Sequence, residues 1–336
     1  MDIDGVRLVP WRRELAAGGA NSRGAWAERR GWLVVVEHGG MRGIGEASAL
    51  PEFGRAAASA AMRFGLETAM LDAVARERGV SVAEVLVAGS GERGTEDGGR
   101  GAGDRMRDGR RVVVNAVVAD AGEARAAVKR GIGTLKVKVG EDHEEVMAVM
   151  REIRDAVPGV VLRVDANQGW PLAQVEQRLA AMAELGLAYV EEPAAGLAAM
   201  LRRPLAVPVA LDESLAAADR EVWLDRALGS GAVGAIVLKP TLLGGMRACL
   251  ALAARARRYG VEVVVTHALE GPVAMAACCE LARAIAPKLA VGLDRHPGLE
   301  GWRVEVPQLQ GVEVVAAAGS GLGIDVDAVI AEAEAA

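Results

Sequence analysis

Six residues carry the chemistry this sequence suggests: the acids Asp165, Glu191 and Asp212 and the lysines Lys136, Lys138 and Lys239. Three carboxylates gathered around one point repel each other unless a cation stands among them. Oxygen-only ligands suit a hard divalent ion. Mg²⁺, which keeps positions for water or substrate oxygens, is the expected one, with Mn²⁺ as a substitute. Any one of these acids taken alone is better read as a helix cap. Three in series, flanked by lysines, argue for a metal. Lys136 and Lys138 lie one residue apart, so on a strand both project to the same face. Each ammonium makes the other harder to protonate, and a nearby divalent ion adds to this, so a lysine there moves toward the neutral form a base needs. Lys239 comes from the far side of the acids. A base, a metal and an opposing cation suit a small-molecule carboxylate whose α-proton is removed while charge builds on its oxygens.

These residues need a scaffold that brings distant positions together. From Val112 onward, short β-branched runs alternate with helix-like segments: VVVNAVV, TLKVKV, VLRVDAN, LAYVEEP, VALDES, AIVLKP, VEVVVTH and LAVGLD. Their polar ends, from Asn115 through Lys138, Asp165, Glu191, Asp212 and Lys239 to Thr266, recur at intervals of 21 to 27 residues. Eight strand–helix units of this length predict an α/β fold, a parallel (β/α) barrel with its active site at the C-terminal ends of the strands. An open doubly wound sheet is the other candidate fold, but no Gly-rich phosphate turn follows the first strand. Glu192 competes with Glu191 for the ligand position; alternation puts Tyr189 and Glu191 on one face, which favours Glu191.

The remainder of the chain reads as a capping domain. Strands are expected at Val6–Val9 and Trp32–Glu37, and a helix from Arg55 to Arg78 with Met62, Leu66, Ala69, Met70 and Ala73 on one face. The expected division is 1–110 for this α+β domain, 111–300 for the barrel, and 301–336 for a tail returning to the capping domain. Residues 89–111 hold eight glycines, five acids and six arginines in 23 positions, so a mobile surface loop is expected there. Trp26, Met41 and Phe53 are candidates for a lid or for core packing.

Composition sets outer bounds. The 336 residues accommodate a barrel of about 250 residues plus a smaller domain. Net charge is −6 and no basic stripe is interleaved with aromatics, which argues against a nucleic-acid partner. Three cysteines, Cys249, Cys278 and Cys279, sit in apolar helix-like sequence and read as buried free thiols of a reducing compartment. The N-terminus lacks an apolar signal core, and no apolar run reaches membrane-spanning length. A cytoplasmic protein with no membrane partner is therefore expected. A homo-oligomer is compatible with the sequence.

The motifs KVK (136–138), DAN (165–167), EEP (191–193), DES (212–214) and KP (239–240) together resemble the enolase superfamily in its muconate-lactonising-enzyme-like branch. Within it, GIGEASALPEFG (43–54), LRVDANQGW (162–170) and VLKPTLLGG (237–245) are most similar to the o-succinylbenzoate synthase family. The resemblance implies a modified (β/α) barrel with Lys138 as general base, Lys136 as its partner and Lys239 on the opposite face. It implies Asp165, Glu191 and Asp212 as Mg²⁺ ligands, with Arg163 and Asn167 in the pocket. The implied reaction is dehydration of a succinyl-hydroxycyclohexadiene carboxylate to an aromatic acid in menaquinone synthesis. The seventh run departs from that family's serine-rich pattern and reads VTHALEGPVA (265–274). Here Thr266 and the backbone near Gly271 are expected to replace the serine contacts to the succinyl group. His267 reads equally as a pocket residue or as a satisfied strand-end histidine.

The same residues serve an N-acylamino acid racemase or a dipeptide epimerase, in which both lysines act. The epimerase reading is weaker because Gly292-Leu293-Asp294 carries one acid where such enzymes typically hold an Asp-x-Asp pair. A non-catalytic barrel is the remote alternative, and the full set of acids and lysines argues against it.

Overall fold

The computed structural model describes residues 5–21, 24–50, 54–89, 110–304 and 307–335. Most of the Gly/Arg-rich segment, and with it Phe53, lies outside the described residues. The first part of the chain forms an antiparallel sheet of β1 (Gly5–Asn21), β2 (Gly24–His38) and β3 (Met41–Ala47), in that order. Helix α1 (Gly54–Arg78) lies against it. Ala69 and Ala73 are buried with Val34 and Val36, while Met62, Leu66 and Met70 pack at the edge of that cluster. The approach is close because β3 carries Gly43 and Gly45. A Cβ at Gly43 would stand 2.0 Å from the Ala69 carbonyl oxygen, and one at Gly45 would stand 1.9 Å from that of Gly65. The Gly-x-Gly here admits a helix backbone. Helix α2 (Val82–Gly89) follows. Met41, at the hairpin between β2 and β3, is exposed and adjoins Arg42, which pairs with Asp327 near the C-terminus.

The barrel is built from β5 (Ala116–Val118), β6 (Thr134–Lys138), β7 (Val161–Asp165), β8 (Tyr189–Glu191), β9 (Val209–Leu211), β10 (Val233–Leu238) and β11 (Glu262–Val265), each parallel to the next. The eighth run is no extended strand. It closes the ring through two parallel bridges, Val291 to Val114 and Gly292 to Thr266. Glycine at 292 is required, since a Cβ there would lie 2.4 Å from Thr266 Oγ1.

The first run is also split, where the sequence suggested one strand. β4 (Arg111–Val113) pairs antiparallel with the tail. Val114 then donates to Val312 O and Asn115 to Val291 O, which turns the backbone from the tail sheet into the barrel.

Outer helices include α3 (Ala121–Lys129), α4 (His143–Ala156), α5 (Val175–Met182), α6 (Arg220–Leu228), the short α7 (Pro240–Leu243), α8 (Met246–Arg258) and α9 (Pro272–Ile285). Their sequences explain them. α4 starts where the Asp142 carboxylate accepts from the N–H groups of Glu144 and Glu145, and it buries Val146, Met147, Met150 and Ile153 at helical spacing. α9 opens with Pro272 and is buried almost throughout, Cys278 and Cys279 included.

The tail adds β12 (Gln308–Gln310) and β13 (Glu313–Val315), which form a three-stranded sheet with β4, and α10 (Val326–Glu334). α10 reaches the first sheet through Arg7–Glu334 and Arg42–Asp327. Buried Asp72 on α1 fastens the same seam, accepting from Ile44 N, Leu322 N and Arg76 Nε. Among the described residues no helix is long and apolar enough to cross a membrane.

Candidate active site

Strand register sets the site in two rows. Lys138 pairs with Asp165 and Asp165 with Glu191, one row across three neighbouring strands at their C-terminal ends. One layer below, Lys136 pairs with Arg163 and Arg163 with Tyr189. Lys136 reaches up from the lower row and places its Nζ 2.8 Å from Asp165 Oδ2 and 2.8 Å from Glu191 Oε1. On the other side, Lys239 is ion-paired to Asp212. The floor is made of small or aliphatic residues, Ala210, Ala235, Val237 and Val264, around the Tyr189 ring.

The charges are unequal in ways that matter. Burial works against the charge on Lys136, but Asp165, Glu191 and Asp212 outweigh it and hold its pKa well above the ordinary value. Lys239 behaves alike, because burial is overcome by Asp212, Glu213 and Glu191. Lys138 makes no such ion pair among the described residues. Crowding by the barrel wall lowers its pKa, Asp165 opposes this, and repulsion from Lys136 and Lys239 adds to it. Its side chain is nevertheless open to solvent at the barrel mouth, where a ligand would enter.

Among the acids, burial and crowding by Asp165 raise Glu191 to about 8, and burial raises Asp212 to about 7 despite Lys239. Asp165 is drawn down by Lys136 against the effect of burial. Glu191 and Asp212, unlike Asp165, thus sit where burial outweighs the positive charge around them. Their all-oxygen donor chemistry fits a small hard cation. Among the described residues no three acidic side chains stand together as a ready-made cage; the Lys136 ammonium bridges Asp165 and Glu191, and the Lys239 ammonium pairs with Asp212.

Glu191 and Glu192 have separated roles. Glu191 faces Lys136. Glu192 takes a left-handed conformation (φ 38°) and turns to the β9 end. There it accepts from Asp212 N and Ser214 N at 2.8 Å each, from Ser214 Oγ at 2.9 Å, and from Gln168 Nε2 at 3.2 Å. It is a positioning residue for Asp212, which sequence alternation alone could not reveal. Glu192→Ala leaves these donors without an acceptor. The expected result is a loss of about 1–3 kcal/mol of stability together with reduced activity, read by thermal melting and steady-state rates.

The remaining sequence candidates fall in different places. Arg163 is fully buried, beneath the acids, with Nη1 donating to Ala290 O and Asn115 Oδ1 and its guanidinium 5.2 Å from the Tyr189 ring. Asn167 has a left-handed backbone (φ 44°), a conformation Asn tolerates well, and its N–H donates to Asp165 Oδ1 at 3.0 Å. Two residues expected to contact the ligand have partners within the chain. The Gly271 N–H is taken by Glu46 Oε1 at 2.7 Å, and the Thr266 hydroxyl donates to Gly292 O at 2.9 Å. Thr266 therefore closes the barrel. Gly271 joins it to the capping sheet, through an acid that also accepts from Ala274 N and Ser48 Oγ. Sequence reading passed over Glu46 in this role, and it passed over His296, whose ring stacks on His267 with centroids 3.8 Å apart.

Residues 119–330 match the family described as enolase C-terminal domain-like, and the chain belongs to that family of the enolase superfamily. Its curated relatives include the o-succinylbenzoate synthase of Mycobacterium bovis (strain BCG / Pasteur 1173P2), 39% identical over 186 residues, with 52% of this chain and 54% of that one covered. The o-succinylbenzoate synthase of Thermobifida fusca is 36% identical over 183 residues, covering 52% of this chain and 56% of that one. The chain thus spans about half the length of the curated relatives it matches. Among solved structures, a muconate cycloisomerase from Pseudomonas fluorescens superposes with a TM-score of 0.76 at 19% identity, covering 97% of this chain and 96% of that one. A dipeptide epimerase from Methylococcus capsulatus, complexed with Mg and a dipeptide, gives 0.73 at 21% identity, covering 96% and 99%. At these identities the two structures speak for the fold alone.

Proposed function

We propose that this protein is a Mg²⁺-dependent carbon–oxygen lyase of the o-succinylbenzoate synthase type. It would dehydrate 2-succinyl-6-hydroxy-2,4-cyclohexadiene-1-carboxylate to o-succinylbenzoate on a cytoplasmic route to menaquinone. The observation that carries this reading is the asymmetry of the two facing lysines. Lys239 is ion-paired to Asp212 and held charged by Asp212, Glu213 and Glu191, whereas Lys138 makes no ion pair among the described residues and its pKa is lowered. A two-base isomerase needs a proton acceptor on each face. A one-base elimination needs one acceptor and one fixed cation. The relatives named o-succinylbenzoate synthase support the same choice.

A divalent cation held by Asp165, Glu191 and Asp212 would supply Lewis-acid pull on the substrate carboxylate. The rest falls to the chain's own residues. Neutral Lys138 Nζ takes the proton from the carbon bearing the carboxylate, and the electron pair moves toward the carboxylate oxygens. Lys239 stays cationic opposite that charge. The pair then returns to form the ring double bond as the hydroxyl leaves, taking the proton from Lys138 and departing as water. Lys136, bridging Asp165 and Glu191, keeps the acids apart and lowers the affinity of Lys138 for its proton.

N-acylamino acid racemisation is the second reading, favoured by the presence of a lysine on each side of the acids. Ultraviolet assay of the purified protein with the cyclohexadiene, beside polarimetry with N-succinyl amino acids, each with Mg²⁺ and with chelator, separates the two. The lyase reading expects Mg²⁺-dependent aromatisation as the faster reaction; racemisation without aromatisation would replace it.

A further inference from the structure

We infer that Glu67, on helix α1 ahead of the barrel, is a positioning residue for Lys239, acting through the turn that begins at that lysine. The inference rests on the proposed role of Lys239 as the fixed cation of the site, and it names what keeps that cation in place.

Lys239 has extended backbone (φ −112°, ψ 97°) between two fixed elements. Before it, β10 is tied to β11, with Leu238 beside Val265. After it, Pro240 opens α7, and the proline ring disfavours helical backbone at the preceding residue. The Lys239 carbonyl accepts from Leu242 N at 2.9 Å and from Leu243 N at 3.0 Å, so the turn is bonded to the lysine's own backbone. A shift of this turn therefore moves the root of the side chain that reaches Asp212.

The turn runs through Gly244 and Gly245 into α8, which has no cap of its own. Elsewhere α3, α4 and α10 each start at an aspartate, Asp120, Asp142 and Asp325, whose carboxylate accepts from N–H groups of the first turn. α8 starts at Gly245, whose φ of 140° disfavours any side chain. Glu67 supplies the missing carboxylate from α1. Its Oε2 accepts from Met246 N at 2.5 Å and its Oε1 from Arg247 N at 3.3 Å, and its charge meets the positive end of the α8 dipole. The fit is close. A Cβ at Gly245 would stand 2.1 Å from Glu67 Oε2, and one at Gly244 would stand 2.8 Å from Nη2 of Arg63, one turn earlier on α1. Two absent side chains thus make room for two successive turns of α1. On the inner side, Thr241 Oγ1 donates to buried Glu270. The turn after Lys239 is held from both sides, and Glu67 is the hold that comes from outside the barrel.

A double-mutant cycle tests this, read by α-proton exchange of an N-succinyl amino acid in D₂O with Mg²⁺, for the enantiomer that Lys239→Ala still exchanges. In the wild-type chain, Glu67→Ala should lower the saturated rate by about 10-fold or more, and by no more than Lys239→Ala does, with the half-saturating ligand concentration little changed. In the Lys239→Ala chain the same substitution should cost less than about 2-fold, because the residue it acts through is gone. Glu67→Gln, which keeps one accepting oxygen, should recover part of the rate, and it replaces Glu67→Ala in the cycle if the alanine variant does not fold. Asp120→Ala, which removes the cap of α3, should leave the rate unchanged. Hydrogen exchange of the resting protein, read by mass spectrometry, should quicken across residues 240–248 in Glu67→Ala. Equal losses of rate in both chains, or unaltered hydrogen exchange across 240–248, would overturn the proposal and leave the reading of the site standing. A wild-type rate in Lys239→Ala for both enantiomers would refute the role of Lys239, and the proposal with it.

Discussion

Lys138→Ala is expected to lower kcat/KM by about 10²–10⁴-fold, the range contributed by a positioned general base. Thermal stability should be unchanged, because this side chain is solvent-reached and makes no ion pair among the described residues. The loss should fall on kcat, with ligand binding retained. The pH dependence follows from the sign of the shift. The base must be neutral, and the pKa of Lys138 lies below the ordinary lysine value of 10.5. The wild-type rate should therefore rise with pH and level off before an ordinary lysine would titrate. The alanine variant should lack this limb. Normal turnover in Lys138→Ala, or an unchanged pH profile, would remove Lys138 from the mechanism.

Asp212→Asn should have the second-largest effect, through two routes at once. It removes one of three buried carboxylates from the oxygen donor set, and it takes from Lys239 the partner that keeps it charged. Mg²⁺ affinity is expected to fall by at least about 100-fold, since groups that merely support a ligand already contribute 10–100-fold. Turnover should fall with it, and added Mg²⁺ should restore turnover only in part. Calorimetric titration with Mg²⁺ alone checks the first effect. An unchanged isotherm would exclude Asp212 as a ligand.

The register explains why so much of this site could be read from sequence. In a parallel barrel each strand contributes its last inward residue to one ring, so the polar ends of successive β-branched runs become neighbours. Lys138, Asp165 and Glu191 fall in one row for that reason. What escaped sequence reading lies beyond the strand ends, where alternation stops. The turn of Glu192 toward Ser214 depends on a left-handed backbone that no neighbouring residue announces. The contact of Glu46 with the start of α9, and the stacking of His296 on His267, join segments far apart in the chain. The eighth run was recognised as β-rich, but tight packing of Gly292 against Thr266 confines it to bridges. At the same place the Thr266 hydroxyl, expected to meet a ligand, donates to Gly292 O.

Lysine-driven removal of the proton beside a carboxylate is the centre of this account. The most direct measurement is NMR in D₂O of an N-succinyl amino acid incubated with Mg²⁺ and wild-type, Lys138→Ala or Lys239→Ala protein. Loss of the α-proton signal is predicted for wild type. No loss is predicted for Lys138→Ala. For one enantiomer exchange should persist in Lys239→Ala, at reduced rate, because Lys239 acts as a cation and not as the base. Exchange at the wild-type rate in Lys138→Ala would contradict the account.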